Sequence, residues 1–301
     1  MRSARTPLLI AATLLLGACA TTSVASAPPT EQPTSAPTTL ASTTVAPTTT
    51  TLPPTTTTTL APTTTTTVAP TTTTTIDPYE VPGVEQPIVA VGRDDGPETE
   101  RAQWRLLQLG FWLQAANGDY GLTTQQAVMA FQKYHGLTAD GVLGPETAAL
   151  LSTVTEKAHG RTDAGTLVEV DKPRQLLFFV VDGVTTWVLN TSTGSEIAYD
   201  EPDQNSPGER QTGDSITRNG MHKVYRERVE GWWEGDLGQI YRPKYFTGGI
   251  AVHGSNSIPN YPASHGCVRV SVPAMDWIWE NDLMPMGIPV WVHGQIPPAP
   301  L

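Results

Sequence analysis

From Ala20 to about Pro78 the chain consists almost wholly of Thr, Pro, Ala and Ser. Such a stretch holds too little apolar surface to offset the entropy lost on ordering it, so it is expected to stay disordered and extended. At about 3.1 Å per residue, a polyproline-like state reaches at most roughly 180 Å. That length suits a tether, and it confines any packed core of the 301-residue chain to the residues beyond Pro78. Charged residues make up only 16% and the formal charge is −11. An acidic chain with no basic block is a poor partner for nucleic acid or for anionic lipid.

Residues 1–19 read as a secretion signal. Arg2 and Arg5 give a positive start, and Leu8 to Leu16 form an apolar run too short to span a bilayer. The segment ends Leu16-Gly17-Ala18-Cys19, which resembles a bacterial lipobox with Cys19 as the lipidated residue; an ordinary signal peptide is the alternative. A terminus carrying two or three acyl chains would hold the protein on a membrane, whereas one chain would not. The chain has two cysteines, Cys19 in this leader and Cys267 far downstream. A structural disulfide is not expected despite an oxidising destination, and neither CxxC nor HExxH spacing suggests zinc.

Residues 95–152 read as a small helical module. Ala102, Leu106 and Leu109 form one apolar face of a helix over Glu98 to Leu109, with Gly110 as its stop. Thr123-Thr124-Gln125-Gln126 reads as a capping box for a second helix, which buries Ala127, Ala130, Phe131 and Tyr134 and ends near Gly136. Pro145 opens a third helix at its first position. Two halves echo each other, since Gly121-x-x-Thr124 and Gly144-x-x-Thr147 each come after an Asp/Gly-rich turn. Leu109-Gly110-Phe111, Phe131-Gln132, Gly136-Leu137 and Asp140-Gly141-Val142 together resemble the peptidoglycan-binding-domain family. The alternative is a plain spacer.

After a polar stretch from Thr155 to Gly165, which reads as a hinge, residues 164–293 read as a mostly β domain. Leu167 to Val170 and Gln175 to Val181 are strand-like, and Asp182-Gly183 signals a hairpin into Val184 to Asn190. Pro202 to Gly213 reads as a polar loop, and His222 as structural. The aromatic run Gly231-Trp232-Trp233-Glu234-Gly235 either packs on the sheet or covers a substrate. Ser271-Val272-Pro273 opens a helix, and Ile288 to Val292 is a last strand with Pro289 at an edge or a start.

Tyr261-Pro-Ala-Ser264-His265-Gly266-Cys267-Val268-Arg269 concentrates the chemistry. A thiol, two imidazoles counting His253 upstream, a glycine and a guanidinium suggest an activated nucleophile beside an anion site. A small buried Cys beside a turn is the bland reading. An imidazole can take the thiol proton, and the backbone at Gly266-Cys267 is a natural oxyanion donor. Either histidine is within plausible reach. His253 is preferred because a strand end holds a base more rigidly than a loop, and the thiol is then expected to titrate below a free cysteine.

His253-Gly254 with Ser264-His265-Gly266-Cys267-Val268-Arg269 resembles the signature of the L,D-transpeptidase (YkuD-type) family, with Arg269 where many members carry Asn. The resemblance implies a multidomain fold, a three-helix peptidoglycan-binding module followed by a mostly β catalytic domain. It implies Cys267 as nucleophile, His253 as general base and the Gly254 carbonyl orienting the imidazole; with His253 preferred as base, His265 is left to support the loop or the substrate. Arg269, Ser264 and Tyr261 are the expected substrate contacts. The implied reaction is acyl transfer from a peptidoglycan stem tetrapeptide to an amine, with no metal or other cofactor and with carbapenem-type β-lactams as inhibitors. The implied partners are stem peptides and wall glycan, in a bacterial envelope reached from the outer face of the cytoplasmic membrane. The rivals are an L,D-carboxypeptidase using water and a noncatalytic wall-binding lipoprotein. A chain beginning near Thr155 is expected to remain an active enzyme.

Overall fold

The computed structural model describes residues 77–297. The leader, Cys19 and all but the last two residues of the Thr/Pro-rich segment lie outside the described residues.

The helical part comprises α1 (Pro97–Gln108), α2 (Leu122–His135) and α3 (Pro145–Thr153). Pro97 and Pro145 occupy first-turn positions, where a missing N–H costs nothing. Gly110 (φ 87°) and Gly136 (φ 72°) adopt the left-handed conformation that ends α1 and α2. The next residue then bonds back across the turn, Phe111 N to Leu106 O at 2.9 Å and Leu137 N to Gln132 O at 2.9 Å.

The capping box at Thr123 is not formed. Helix α2 starts at Leu122 with Gly121 as its cap and no side-chain capping bond. Thr124 turns inward and accepts from Gln103 Nε2 at 2.8 Å. This explains the internal echo. Gln103 Oε1 accepts from Asn117 N and Gly118 N while its amide donates to Asp119 O and Thr124 Oγ1. Gln132 repeats the device with Gly141 N, Val142 O and Thr147 Oγ1. One buried glutamine per helix therefore fastens the following Asp/Gly turn to the next helix, satisfying amides that burial would otherwise strand.

The β part begins with β1 (Leu167–Asp171), β2 (Leu176–Val181) and β3 (Val184–Asn190), the last two joined by a hairpin turn with φ positive at Asp182 and Gly183. A hairpin of β4 (Tyr199–Pro202) and β5 (Arg210–Gly213) comes next, where a loop was expected. Its strands are mostly exposed, so the apolar alternation that marks a half-buried strand is missing. The remainder is β6 (Gly220–Lys223), β7 (Arg226–Glu227), β8 (Trp232–Gly235), β9 (Gly238–Thr247), β10 (Ile250–Ser255), β11 (Val268–Ser271), α4 (Val272–Glu280) and β12 (Pro289–His293). Ser271 caps α4, its hydroxyl accepting from Ala274 N at 3.3 Å.

One sheet has the order β3-β2-β1-β12-β6 and a second the order β11-β10-β9-β7, with β8 also on β9. Strand β12 is interior, and Pro289 is tolerated as its first residue. Val168, Val170, Leu177, Phe179, Val290 and Val292 face the second sheet and α4, meeting Val252, Val268, Val270, Met275 and Ile278.

The opposite face of the first sheet is buried as well. Leu167, Leu176, Phe178, Val180 and Val188 join Leu106, Leu109, Phe111 and Phe131 in one core. The period of two along β2 thus places alternate residues in two different cores. Backbone bonds stitch the seam: Val188 N to Gly110 O at 2.8 Å, Trp112 N to Val188 O at 3.1 Å, and Ala158 N to Leu109 O at 3.0 Å.

The polar stretch after α3 is therefore not a hinge. Buried Glu169 accepts from Arg161 N, Thr162 N, Thr162 Oγ1 and His293 Nε2. These bonds hold its carboxyl below the usual range against the desolvation that pushes it up. The polar residues that looked like linker are the partners of a buried carboxylate.

Candidate active site

Strand β10 carries a buried run, Ala251 and Val252, that delivers His253, itself only 3% exposed. Parallel β11 sets His253 opposite Arg269 and Val252 opposite Val268. Cys267, one residue before β11, therefore arrives beside Ala251. Both His253 and Cys267 line one cavity of about 760 Å³, together with Ser264, His265, Arg269 and Tyr199.

The His253 Nδ1 lies 2.8 Å from the Gly254 carbonyl, to which it donates, so the lone pair sits on Nε2. Gly254 is required by packing: a Cβ there would meet Tyr241 Cδ1 at 2.9 Å and Met275 Cβ at 3.2 Å. The loop that carries Cys267 is fixed by a second glycine. Gly266 has φ 123°, and its carbonyl accepts from Thr217 Oγ1 at 2.7 Å. Buried Ser264 donates to Cys267 O and accepts from Gly266 N at 3.1 Å. With the Gly266 N–H so engaged, the N–H groups of His265 and Cys267 are left without a protein acceptor among the described residues.

Burial holds the His253 imidazole down to about pKa 4; the Gly254 bond opposes this and the Arg269 charge reinforces it. Burial also pushes the Cys267 thiol up, outweighing the Ala251 backbone bond and the Arg269 charge that pull it down. The expectation of a lowered thiol pKa is thus reversed. Cys267 is half-buried beside the buried His253, and desolvation disfavours the charged form of each, which favours thiol with neutral imidazole at rest. This has two consequences for pH. Acylation that uses neutral His253 should stay flat down to about pH 4, where an unperturbed histidine would fail near 6.5. Alkylation by iodoacetamide, which needs the thiolate, should instead climb through pH 9 without an acidic plateau. Rate against pH for both reagents checks this; a plateau of alkylation from pH 5 upward would mean a resting ion pair.

His265 is tied elsewhere. Its Nε2 meets Glu201 Oε1 at 3.0 Å and its ring packs edge-on against Tyr199, 4.8 Å between centroids. Both partners lie on β4, so His265 anchors the loop to that hairpin. Arg269 lines the cavity, and its backbone is locked to Ser192. Tyr261 is exposed and outside the cavity lining; it contributes its carbonyl to Ser192 Oγ at 2.8 Å. His222 does not line the cavity; its Nε2 donates to the carbonyl of Arg218, which does, at 2.9 Å. Trp232 and Trp233 stand exposed on β8, and Trp233 forms part of the cavity wall.

Sequence reasoning missed Thr217, Tyr199 and Glu201. Thr217 belongs to no catalytic motif singled out in the sequence, and β4 carries no periodic signal. Among the described residues, Glu169, Asp171 and His293 have a metal-like composition, with atoms within 4.8 Å of one another. Their carboxylates are taken, Glu169 as above and Asp171 by Arg174 N and its guanidinium. Glu169 fastens the first sheet to the segment after α3, and Asp171 closes the turn between β1 and β2.

A family model of the L,D-transpeptidase catalytic domain (YkuD) matches residues 165–292, and a peptidoglycan binding domain model matches residues 95–151. The crystal structure of an L,D-transpeptidase from Xylanimonas cellulosilytica is 43% identical, with a TM-score of 0.61, over 70% of this chain and the whole of that one. The chain belongs to the L,D-transpeptidase family. Shorter matches connect it to N-acetylmuramoyl-L-alanine amidase CwlM of Mycobacterium tuberculosis, 38% identical over 65 residues, 22% of this chain and 16% of that protein. A probable N-acetylmuramoyl-L-alanine amidase of Bacillus licheniformis is 39% identical over 74 residues, 24% of this chain and 21% of that one. The chain thus spans about a fifth or less of either amidase, and amidase chemistry does not carry over from so short a share. The Xylanimonas likeness covers more of this chain than the catalytic-domain match at residues 165–292.

Proposed function

We propose that this protein forms peptidoglycan cross-links by cysteine acyl transfer. Neutral His253 takes the Cys267 thiol proton through Nε2 as sulfur adds to the carbonyl of the third stem residue. The oxyanion is met by the N–H groups of Cys267 and His265, the donors left free once Ser264 holds Gly266. Collapse breaks the peptide bond, and His253 returns the proton to the departing D-alanine amine, leaving a thioester. An acceptor amine then attacks, gives its proton to His253, and the thiol is restored. The observation that carries this reading is the Nδ1 bond to Gly254, which leaves an unprotonated Nε2 on a histidine lining the same cavity as Cys267.

The helical module supports attachment to the wall, and the leader supports a lipid anchor at Cys19, with the Thr/Pro-rich segment spanning between membrane and wall. No described helix is long and apolar enough to cross a membrane. Carbapenem-type β-lactams present a strained carbonyl to the same thiol and are proposed inhibitors. Incubation with purified tetrapeptide muropeptides, read by mass spectrometry, is expected to yield cross-linked dimers lacking one D-alanine. Free tripeptide alone would indicate a carboxypeptidase, and unchanged substrate a noncatalytic wall binder.

A further inference from the structure

The chain is acidic, yet Arg218, Arg226, Arg228 and Arg269 all line the catalytic cavity. Two of them are mounted on aromatic rings. The Arg226 guanidinium lies 3.9 Å from the Tyr245 ring centroid, and that of Arg228 lies 3.6 Å from the Trp233 centroid. Stacking fixes the guanidinium plane and leaves its N–H edge free, the arrangement that receives a planar carboxylate.

The acids near the cavity already have other partners. Arg174, Arg210 and Arg242 each pair with an aspartate, and Arg218 lies 3.6 Å from Asp214. The other acids lining the cavity are engaged too: Glu234 accepts from Gln239 Nε2 at 2.6 Å and Asp236 from Asn205 Nδ2 at 2.8 Å. Among the described residues, the side chains of Arg226 and Arg228 make no ion pair.

Register gives the scale. Arg226 pairs with Tyr245 on β9, Tyr245 pairs with Ala251 on β10, and Cys267 lies next beside Ala251. Three interstrand spacings separate Arg226 from the nucleophile, roughly 14 Å, the span of about four extended residues. A group lying up to about four extended residues from the reacting carbonyl of a peptide on Cys267 is within reach of these arginines.

Resting on the acyl-transfer reading, we propose that Arg226 and Arg228, held on Tyr245 and Trp233, form a subsite for a free carboxylate of the donor peptide, distinct from the carboxylate released with D-alanine. The subsite makes the enzyme selective for donors in which that carboxylate is not amidated. It acts on binding, through charge-assisted hydrogen bonds on the cavity wall.

The test compares two synthetic tetrapeptide donors, one with that carboxylate free and one with it amidated, using the full chain and the variants Arg226→Gln, Arg228→Gln and Arg228→Lys. The unsubstituted enzyme is expected to prefer the free acid by about tenfold in kcat/KM, mostly through KM, and to lose preference at high salt. Each Gln variant should bring the ratio toward one, with Arg228→Lys between. An unchanged preference in both Gln variants, or none in the unsubstituted enzyme, overturns the subsite while leaving acyl transfer intact. Turnover of neither donor by the unsubstituted enzyme overturns both. Thermal unfolding midpoints close to the parent's show that the substitutions, at exposed Arg226 and half-buried Arg228, leave the fold in place.

Discussion

Replacing His253 by Ala is expected to slow acylation of Cys267 by about 10²- to 10⁴-fold, the usual worth of a positioned general base. The neutral thiol is a poor nucleophile, because burial pushes its pKa up, and the proton must leave as the carbon–sulfur bond forms. His253 lines the cavity with its Nδ1 bonded to the Gly254 carbonyl, which leaves Nε2 unprotonated. Replacing His265 should act differently. It removes the contacts with Glu201 and Tyr199 that hold the loop to β4, so the rate falls less and the low-pH limit set by His253 persists. Adduct formation with a carbapenem, followed by intact mass against pH for both variants, separates them. A His265→Ala variant that loses the pH limit while His253→Ala keeps it would exchange the two roles.

The second large effect concerns architecture. A chain beginning near Thr155 is expected to fail to fold into an active enzyme, contrary to the expectation from a two-module sequence. Leu167, Leu176, Phe178, Val180 and Val188, at most 9% exposed, would lose their cover. At about 1.5–3 kcal/mol per buried side chain, the loss is on the order of 10 kcal/mol, comparable with the whole stability of a typical domain. Soluble yield and the sharpness of thermal unfolding would register it. A truncated chain with a cooperative transition and parental turnover would show that the catalytic sheet stands alone.

Much of this was legible because the informative residues act locally. Gly110 and Gly136 end helices through their own φ angles, Asp182-Gly183 sets its own turn, and Ser271 caps its own helix. The nucleophile loop was legible for the same reason, since Ser264, Gly266 and Cys267 interact within three residues. What the sequence hid depends on distant partners. Thr124 looked like a cap because its contact with Gln103 lies 21 residues away. The segment from Arg161 to Thr162 looked like a hinge because its acceptor, Glu169, faces it only after β1 has joined the sheet. The thiol's raised pKa was hidden likewise: neighbouring residues suggest activation, but the cavity's desolvation is set by the whole fold.

The central claim is that Cys267 carries the acyl group and His253 makes it able to do so. The most direct measurement is the intact mass of the protein trapped during reaction with a stem tetrapeptide. The account predicts a covalent increment equal to the donor less D-alanine, located on Cys267, absent from Cys267→Ala and accumulating far more slowly in His253→Ala. Release of D-alanine by Cys267→Ala at the parental rate, or an adduct on any other residue, would contradict it.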